Sequence, residues 1–163
     1  MTDKDITKTA ALLKQLQPGF LPYEIFVQMA RLSVLSIIEL VPLCYKDGKV
    51  MVLLLKRPEN DLIWPGKLHS PGTVVRPTDH SLTGEAFKRL VKEELNGTKL
   101  SKPQYVESLF RDTVRGKENV QVFQAKILSE PRAGSLFDLD DLPENFLDSQ
   151  LDFIQHAANS FSS

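Results

Sequence analysis

The sequence is poor in the residues that staple or anchor a chain, and each shortage closes a class of explanation. Cys44 is the only cysteine, so an internal disulfide is impossible and a thiolate zinc site within one chain is not expected. Its apolar neighbours point to packing. The longest greasy stretch, Leu32 to Tyr45, is interrupted by Glu39 and Pro42 and is too short to cross a bilayer. The opening residues, Met1-Thr2-Asp3-Lys4-Asp5, carry both signs of charge and no basic-then-apolar pattern, so no secretory signal is expected and the cytoplasm is the expected location. An excess of one charge is missing too. Twenty basic and 21 acidic residues leave a formal net charge of -1 without long blocks of one sign, so no global field draws in nucleic acid or an anionic membrane. A polyanionic ligand would have to be held locally. Internal repeats and low-complexity tracts are absent as well.

What is present suits one ordinary domain. The chain has 163 residues, of which 42% are hydrophobic and 25% charged, enough to build a real core. Apolar residues at three and four spacing predict two short helices, Ile6 to Leu16 and Pro22 to Leu32, separated by Gln17-Pro18-Gly19. From Ile37 the pattern turns to strand. Ile37 to Val41 and Leu43 to Tyr45 lead through a turn at Lys46 to Lys49 into Val50 to Leu55, a hairpin whose second strand is apolar on both faces. Residues 58–78, rich in proline and glycine and holding the single tryptophan, predict a structured loop around a short strand near Gly72 to Val75. Ser81 to Leu95 predicts a helix, with Ser81 as N-cap and Asn96-Gly97 as its stop. Two strands, Tyr105 to Asp112 and Val120 to Leu128, flank a turn at Arg115 to Glu118. A closing helix runs from Leu142 to Phe161 with Pro143 in its first turn, burying Phe146, Phe153 and Phe161 along its stripe.

The helix from Ser81 carries the chemistry. Projected at about 100° per residue, it gathers Leu82, Ala86, Phe87, Leu90 and Val91 on one apolar arc. Glu94 falls inside that arc and Glu93 at its edge, beside Arg89. A carboxylate on a core-facing stripe requires compensation by a cation or hydrogen bonds. Arg89 reaches Glu93 at the i,i+4 spacing, so Glu94 is left without a local partner and a divalent metal is one candidate. The plainer alternative is a solvated acidic pair near a helix end.

Pro71-Gly72-Thr73, followed by the run from Glu85 to Gly97 with Arg89, Glu93 and Glu94, resembles the Nudix box, and the chain resembles the Nudix hydrolase superfamily from about Ile37 to Phe161. The resemblance implies an α/β fold: an α/β/α sandwich around a mixed β-sheet, here with an N-terminal helical extension (1–36) ahead of the hydrolase domain (37–163). It also implies Mg2+ or Mn2+ on a pyrophosphate, with Gly72 offering a carbonyl, Glu93 and Glu94 their carboxylates, Arg89 acting as orienting cation and Arg57 touching substrate phosphate. Hard ions of this kind prefer oxygen ligands and neutralise bridging phosphates. The expected activity is hydrolysis of a nucleoside diphosphate-linked small molecule, a nucleotide sugar among them, with Glu94 as main ligand and the general base unassigned. No nucleic-acid or membrane partner is expected, and the N-terminal helices are expected to form a homodimer contact.

Departures from the box are specific. Leu90 stands where the box has Glu directly after Arg, Ser81 replaces an early Glu, Thr73 replaces a second Gly, and the loop before the helix is about two residues longer. Replacing Leu90 by Glu, which restores the box, is therefore expected to strengthen metal binding where the geometry is preserved. Ala86-Phe87-Lys88-Arg89-Leu90 resembles the GDP-mannose hydrolase branch, although Gln124-Ala125 and Gln155-His156 do not match that branch's Gln-His pair. A catalytically silent Nudix-like domain that binds a nucleotide or a partner is the rival reading, supported by Leu90. An isomerase of allylic diphosphates is disfavoured because Cys44 lies on the first hairpin. Trp64 is assigned to packing, His69 and His80 to ordinary loop positions, His156 to the margin of the closing helix, and Glu118 to solvent.

Overall fold

The computed structural model describes residues 1–161; the last two residues of the expected hydrolase domain, 162 and 163, lie outside the described residues. One long strand organises the rest. β1 (Val34–Lys46) turns through Asp47 and Gly48, both at positive φ, into its antiparallel neighbour β2 (Lys49–Lys56). Positive φ at both central residues is what a two-residue hairpin turn requires. On its other side β1 runs parallel to β6 (Gly116–Lys126), with Val34 to Leu43 opposite Lys117 to Lys126. β5 (Gln104–Thr113) adds antiparallel to β6 and closes that edge. β3 (Leu68–His69) and β7 (Ser135–Asp138) both pair with β2, and β4 (Gly72–Val74) pairs with the first half of β1.

Helices cover both faces of this mixed sheet. Ile37, Val41 and Leu43 of β1 enter one apolar cluster with Ala30 of α2 (Tyr23–Leu32) and Phe153, Ile154 and Ala157 of α4 (Leu151–Asn159). Ile38 and Leu40 enter the other, with Phe87 and Leu90 of α3 (Phe87–Glu93). Alternate residues of β1 thus feed opposite cores, which is why this strand reads as an almost unbroken apolar run. The expected α/β/α sandwich with its mixed sheet is what forms. Among the described residues no helix is long and apolar enough to cross a membrane.

Several elements differ from expectation. α1 spans Asp3–Leu13 and starts early because Thr2 and Asp5 cap it reciprocally: the Thr2 N–H donates to Asp5 Oδ2 at 2.9 Å and the Asp5 N–H to Thr2 Oγ1 at 3.3 Å. The helix expected from Ser81 opens instead with a wide turn over Leu82–Ala86, where the Ala86 N–H reaches Ser81 O at 3.3 Å, and becomes α-helical only at Phe87. The turn between β5 and β6 is tighter than expected, so Gly116 to Glu118 belong to the strand. The closing helix is shorter, because Leu68 captures the segment before it: the Leu68 N–H donates to Asn145 O and the Leu147 N–H to Leu68 O, both at 2.9 Å. Phe146 is still buried, but from this extended clip rather than from a helix.

Candidate functional site

A cleft of about 1070 Å³ runs along the sheet between α2, the Gly72 segment and the end of α3. Arg57, Gly72, Glu93 and Glu94, four of the residues singled out in the sequence, line it together with His69 and Arg115. Arg89, the fifth, stands behind the wall.

Arg89 is the mooring of the loop. Its guanidinium donates to Asp79 Oδ2 at 2.7 Å, to Thr73 Oγ1 at 2.7 Å and to Val74 O at 3.0 Å, with Asp79 Oδ1 at 3.3 Å. The Arg89 guanidinium, hydrogen-bonded to Asp79, holds that carboxyl below its ordinary value, and the Arg76 amide adds to the effect. A fork of fixed donors suits this task, since one planar cation closes the loop on a carboxylate, a hydroxyl and a carbonyl at once. Glu93 is 3.8 Å from the same guanidinium and 3.4 Å from Arg76, with 48% of its side chain exposed.

Glu94 caps α3 at the cleft rim. Although exposed, it is desolvated enough for its carboxyl to be pushed above the ordinary value, an effect the Arg57 charge opposes and Glu93 reinforces. Leu90 is elsewhere: it is fully buried in the core cluster between α3 and the sheet. A carboxylate at that position would enter an apolar core rather than the cleft, so the expectation that Glu there restores a metal site is corrected.

The cleft floor holds a residue that sequence reasoning passed over. Glu39, noted only as an interruption of a greasy run, is 6% exposed and pairs in register with Gly72 across the β1–β4 ladder. Its Oε1 accepts from Arg111 at 3.1 Å and from the Gln150 amide at 3.4 Å, while Oε2 is buried without a partner. Burial pushes this carboxyl up to about 7, against the pull of Arg111. Period-two spacing along β1 was the available signal, because an acidic residue flanked by Ile38 and Leu40 in a central strand has no route to bulk water.

Glu118 is not solvated as expected. It is fully buried and accepts from Arg111 at 3.2 Å, Thr113 at 3.3 Å and Arg115. Glu39, Arg111, Glu118 and Arg115 thus form a line of alternating charge under the cleft. Trp64 ends that line. The Arg57 and Arg115 guanidinium carbons stand 5.1 and 5.4 Å from its ring centroid, so the tryptophan orients two cations in addition to packing. Asp61 fixes the arrangement by accepting from Arg57 at 3.1 Å and from the Ile63 and Trp64 amides at 2.9 and 2.8 Å.

His69 is a buried neutral ring rather than an ordinary loop histidine. Burial, with Arg57 beside it, lowers its pKa to about 4, and its Nδ1 lies 2.7 Å from Ser70 O. His80 is exposed, its backbone N–H donating to Glu85, and His156 of α4 meets Glu107 of β5 at 2.7 Å. Cys44 does not line the cleft. Among the described residues no group of three or more His, Cys, Asp or Glu side chains is placed to hold a metal ion.

No protein-family model matches the sequence, and no curated protein matches it. Solved structures do. The Nudix domain of NrtR from Shewanella oneidensis, complexed with ADP ribose, superimposes with a TM-score of 0.61 at 18% identity and covers 98% of each chain. Ap4A hydrolase from C. elegans gives 0.60 at 20% identity over 78% of this chain and 98% of its own. The MutT protein from Methanosarcina mazei Go1 gives 0.60 at 20% identity over 77% and 94%. This chain has the Nudix fold.

Proposed function

We propose that this protein hydrolyses a nucleoside diphosphate-linked compound, nucleotide sugars included, with Mg2+ or Mn2+ held in the cleft that Gly72, Glu93 and Glu94 line. The observation that carries this reading is Glu94: a carboxylate at the cleft rim, raised by desolvation and opposed by Arg57, with no ion-pair or hydrogen-bond partner of its own among the described residues. The neighbours that include an Ap4A hydrolase and a Nudix domain holding ADP ribose support the same ligand class.

The donor set fits a metal that arrives with its substrate. Mg2+ keeps several waters and binds through one or two carboxylates plus substrate phosphates rather than an all-protein cage, so a three-acid cluster is not required. Glu94 supplies one carboxylate, the partnerless Oε2 of Glu39 lies directly across from Gly72 as a second, and Glu93 is held only through long contacts to Arg76 and Arg89. When bound, such an ion neutralises phosphate charge and lowers the cost of charge on the leaving oxygen.

The protein's own groups do the rest. Arg57 and Arg115, splayed on Trp64, receive the phosphate charge without having to be ordered at the moment of binding. Arg89 acts by positioning, keeping the Gly72 to Asp79 segment closed. The division into an extension (1–36) and a hydrolase domain (37–163) is part of the same proposal.

Glu94→Gln tests it. Against a panel of nucleotide sugars and nucleoside triphosphates with Mg2+ or Mn2+, the variant should lose turnover and Mn2+ affinity while its Tm stays within about a degree of wild type, as for a surface change. Unchanged turnover would remove Glu94 from the site. Leu90 in the core favours one second reading, a silent Nudix-like domain that binds a nucleotide or a partner, and that reading predicts binding without turnover in the wild type.

A further inference from the structure

The cleft lining is chemically mixed. Besides its charged residues it includes Phe20, from the segment joining α1 to α2, and Tyr23, the first residue of α2, which together form an aromatic wall. Phe20 is 84% exposed and Tyr23 47% exposed. A large ring left in water beside a cleft is the informative kind of exposure, because covering it returns free energy on binding.

That wall is held in place. Phe20 sits between Pro18 and Pro22, whose fixed φ limits what the segment can do. Behind it, α2 is seated on the sheet so closely that a Cβ at Gly116 would come within 2.5 Å of Ala30 O, and Ala30 is fully buried. The seating of α2 and the two prolines reduce the freedom lost when a ligand arrives.

One arginine joins the aromatic wall to the charged residues. The Arg76 guanidinium carbon lies 5.8 Å from the Phe20 ring centroid, and its Nη2 lies 3.4 Å from Glu93 Oε2. Arg76 stands within cation–π reach of Phe20, and 84% of that residue is left exposed for a ligand. A ligand that is anionic at one end and a flat ring at the other would span the same two environments.

We propose that Phe20 and Tyr23 form the stacking wall for the base of a nucleoside diphosphate whose phosphates lie beside Arg57 and Glu94, with Arg76 between them. This rests on the ligand class proposed above and adds where the base is recognised: by the N-terminal segment, through π-faces common to every base. The wall selects for a nucleoside and discriminates weakly among bases, since stacking tolerates any of them.

The test uses the full chain and two probes, ADP and inorganic pyrophosphate, each titrated with Mg2+ by calorimetry into wild type, Phe20→Ala, Phe20→Trp and Tyr23→Ala. Phe20→Ala should weaken ADP by about tenfold, the usual worth of one stacking partner, with pyrophosphate unchanged. Phe20→Trp should restore ADP, and Tyr23→Ala should weaken it in the same selective way. Because Phe20 is exposed, thermal melts of the variants should match wild type. ADP affinity unchanged in both alanine variants, or an equal loss for both probes, overturns the wall. Wild type that binds pyrophosphate but not ADP overturns it while leaving the role of the charged residues intact. Wild type that binds neither probe overturns the proposed function and the wall with it. Phe20→Ala that dissociates a dimer in sedimentation while leaving ADP affinity unchanged assigns the ring to a second copy of the chain and likewise overturns the proposal.

Discussion

Glu39 and Gly72 face one another across the β1–β4 ladder so closely that a Cβ built on Gly72 would lie 2.6 Å from Glu39 Oε2 and 3.0 Å from its carboxyl carbon. Any side chain here would force the buried Glu39 carboxyl to shift. Gly72→Ala should therefore cost about 1–3 kcal/mol, as overpacking does. The loss should shrink in a Glu39→Ala background, and urea denaturation of the four species measures that coupling. Additive losses would mean that the two residues do not constrain one another.

Leu90→Glu should fail to fold. Leu90 is fully buried among Ile38, Leu40, Leu53 and Phe123, and an unpaired carboxylate there costs several kcal/mol, a large part of a domain's stability. Leu90→Ala, by comparison, should fold with a loss of about 2–5 kcal/mol. Circular dichroism melts distinguish the two. A folded Leu90→Glu protein with raised Mn2+ affinity would return that position to the cleft.

Glu39 and His69 impose opposite pH dependences on stability. Glu39 is raised to about 7 by burial, so its contribution is fully present below its unfolded value and is lost as pH rises through 7. His69 is lowered to about 4, so its contribution is present above its unfolded value and is lost as pH falls through 4. Between about pH 4.5 and 6.5, close to the ordinary values of the two groups, the slopes oppose one another. Relative to wild type in metal-free buffer, Glu39→Gln should gain stability with rising pH across that window and His69→Gln should lose it. Each tenfold change in proton affinity is about 1.4 kcal/mol, which makes either effect readable as a Tm series. Parallel curves for all three proteins would reject both assignments.

Arg89→Lys should keep the charge and lose the fork. One ammonium does not reproduce simultaneous bonds to Asp79, Thr73 Oγ1 and Val74 O. A loss of about 1–2 kcal/mol is expected, with faster hydrogen exchange at the Arg76 and Asp79 amides, which close the loop onto Asp79 Oδ2 and Arg76 O. Unchanged exchange at those amides would mean that the loop is held without Arg89.

Local pattern made much of the scaffold legible. The double-faced apolar run of β1 and β2 required a central position, and Asp47-Gly48 fixed the hairpin between them. The helical arc of Ala86, Phe87 and Leu90 fixed what α3 buries. Less legible were elements whose existence depends on distant partners. β7 forms because Ser135 to Asp138 lie along β2. The closing helix begins late because Leu68, far off in sequence, takes the backbone of Asn145 and Leu147.

The candidate site divides in the same way. Glu93 and Glu94 stood out by helical spacing, Arg57 and Gly72 by the resemblance to the Nudix box, and the four share one cleft. Glu39, the line of charge through Arg111, Glu118 and Arg115, and the double use of Trp64 were not found by spacing.

Sequence alone determined what depends on neighbours along the chain: the strand and helix periods, the turn chemistry, the single cysteine and balanced charge, and a degenerate helical signature with Leu90 in place of an acid. Only the tertiary structure decided that Leu90 belongs to the core, that Glu39 is a buried carboxylate with one free oxygen, and that Phe20 lines the same cleft as Glu94. The physical reason is that burial and charge pairing are properties of the surroundings. A carboxylate's environment is set by side chains tens of residues away, such as Arg111 and Gln150 around Glu39, and no local period encodes them.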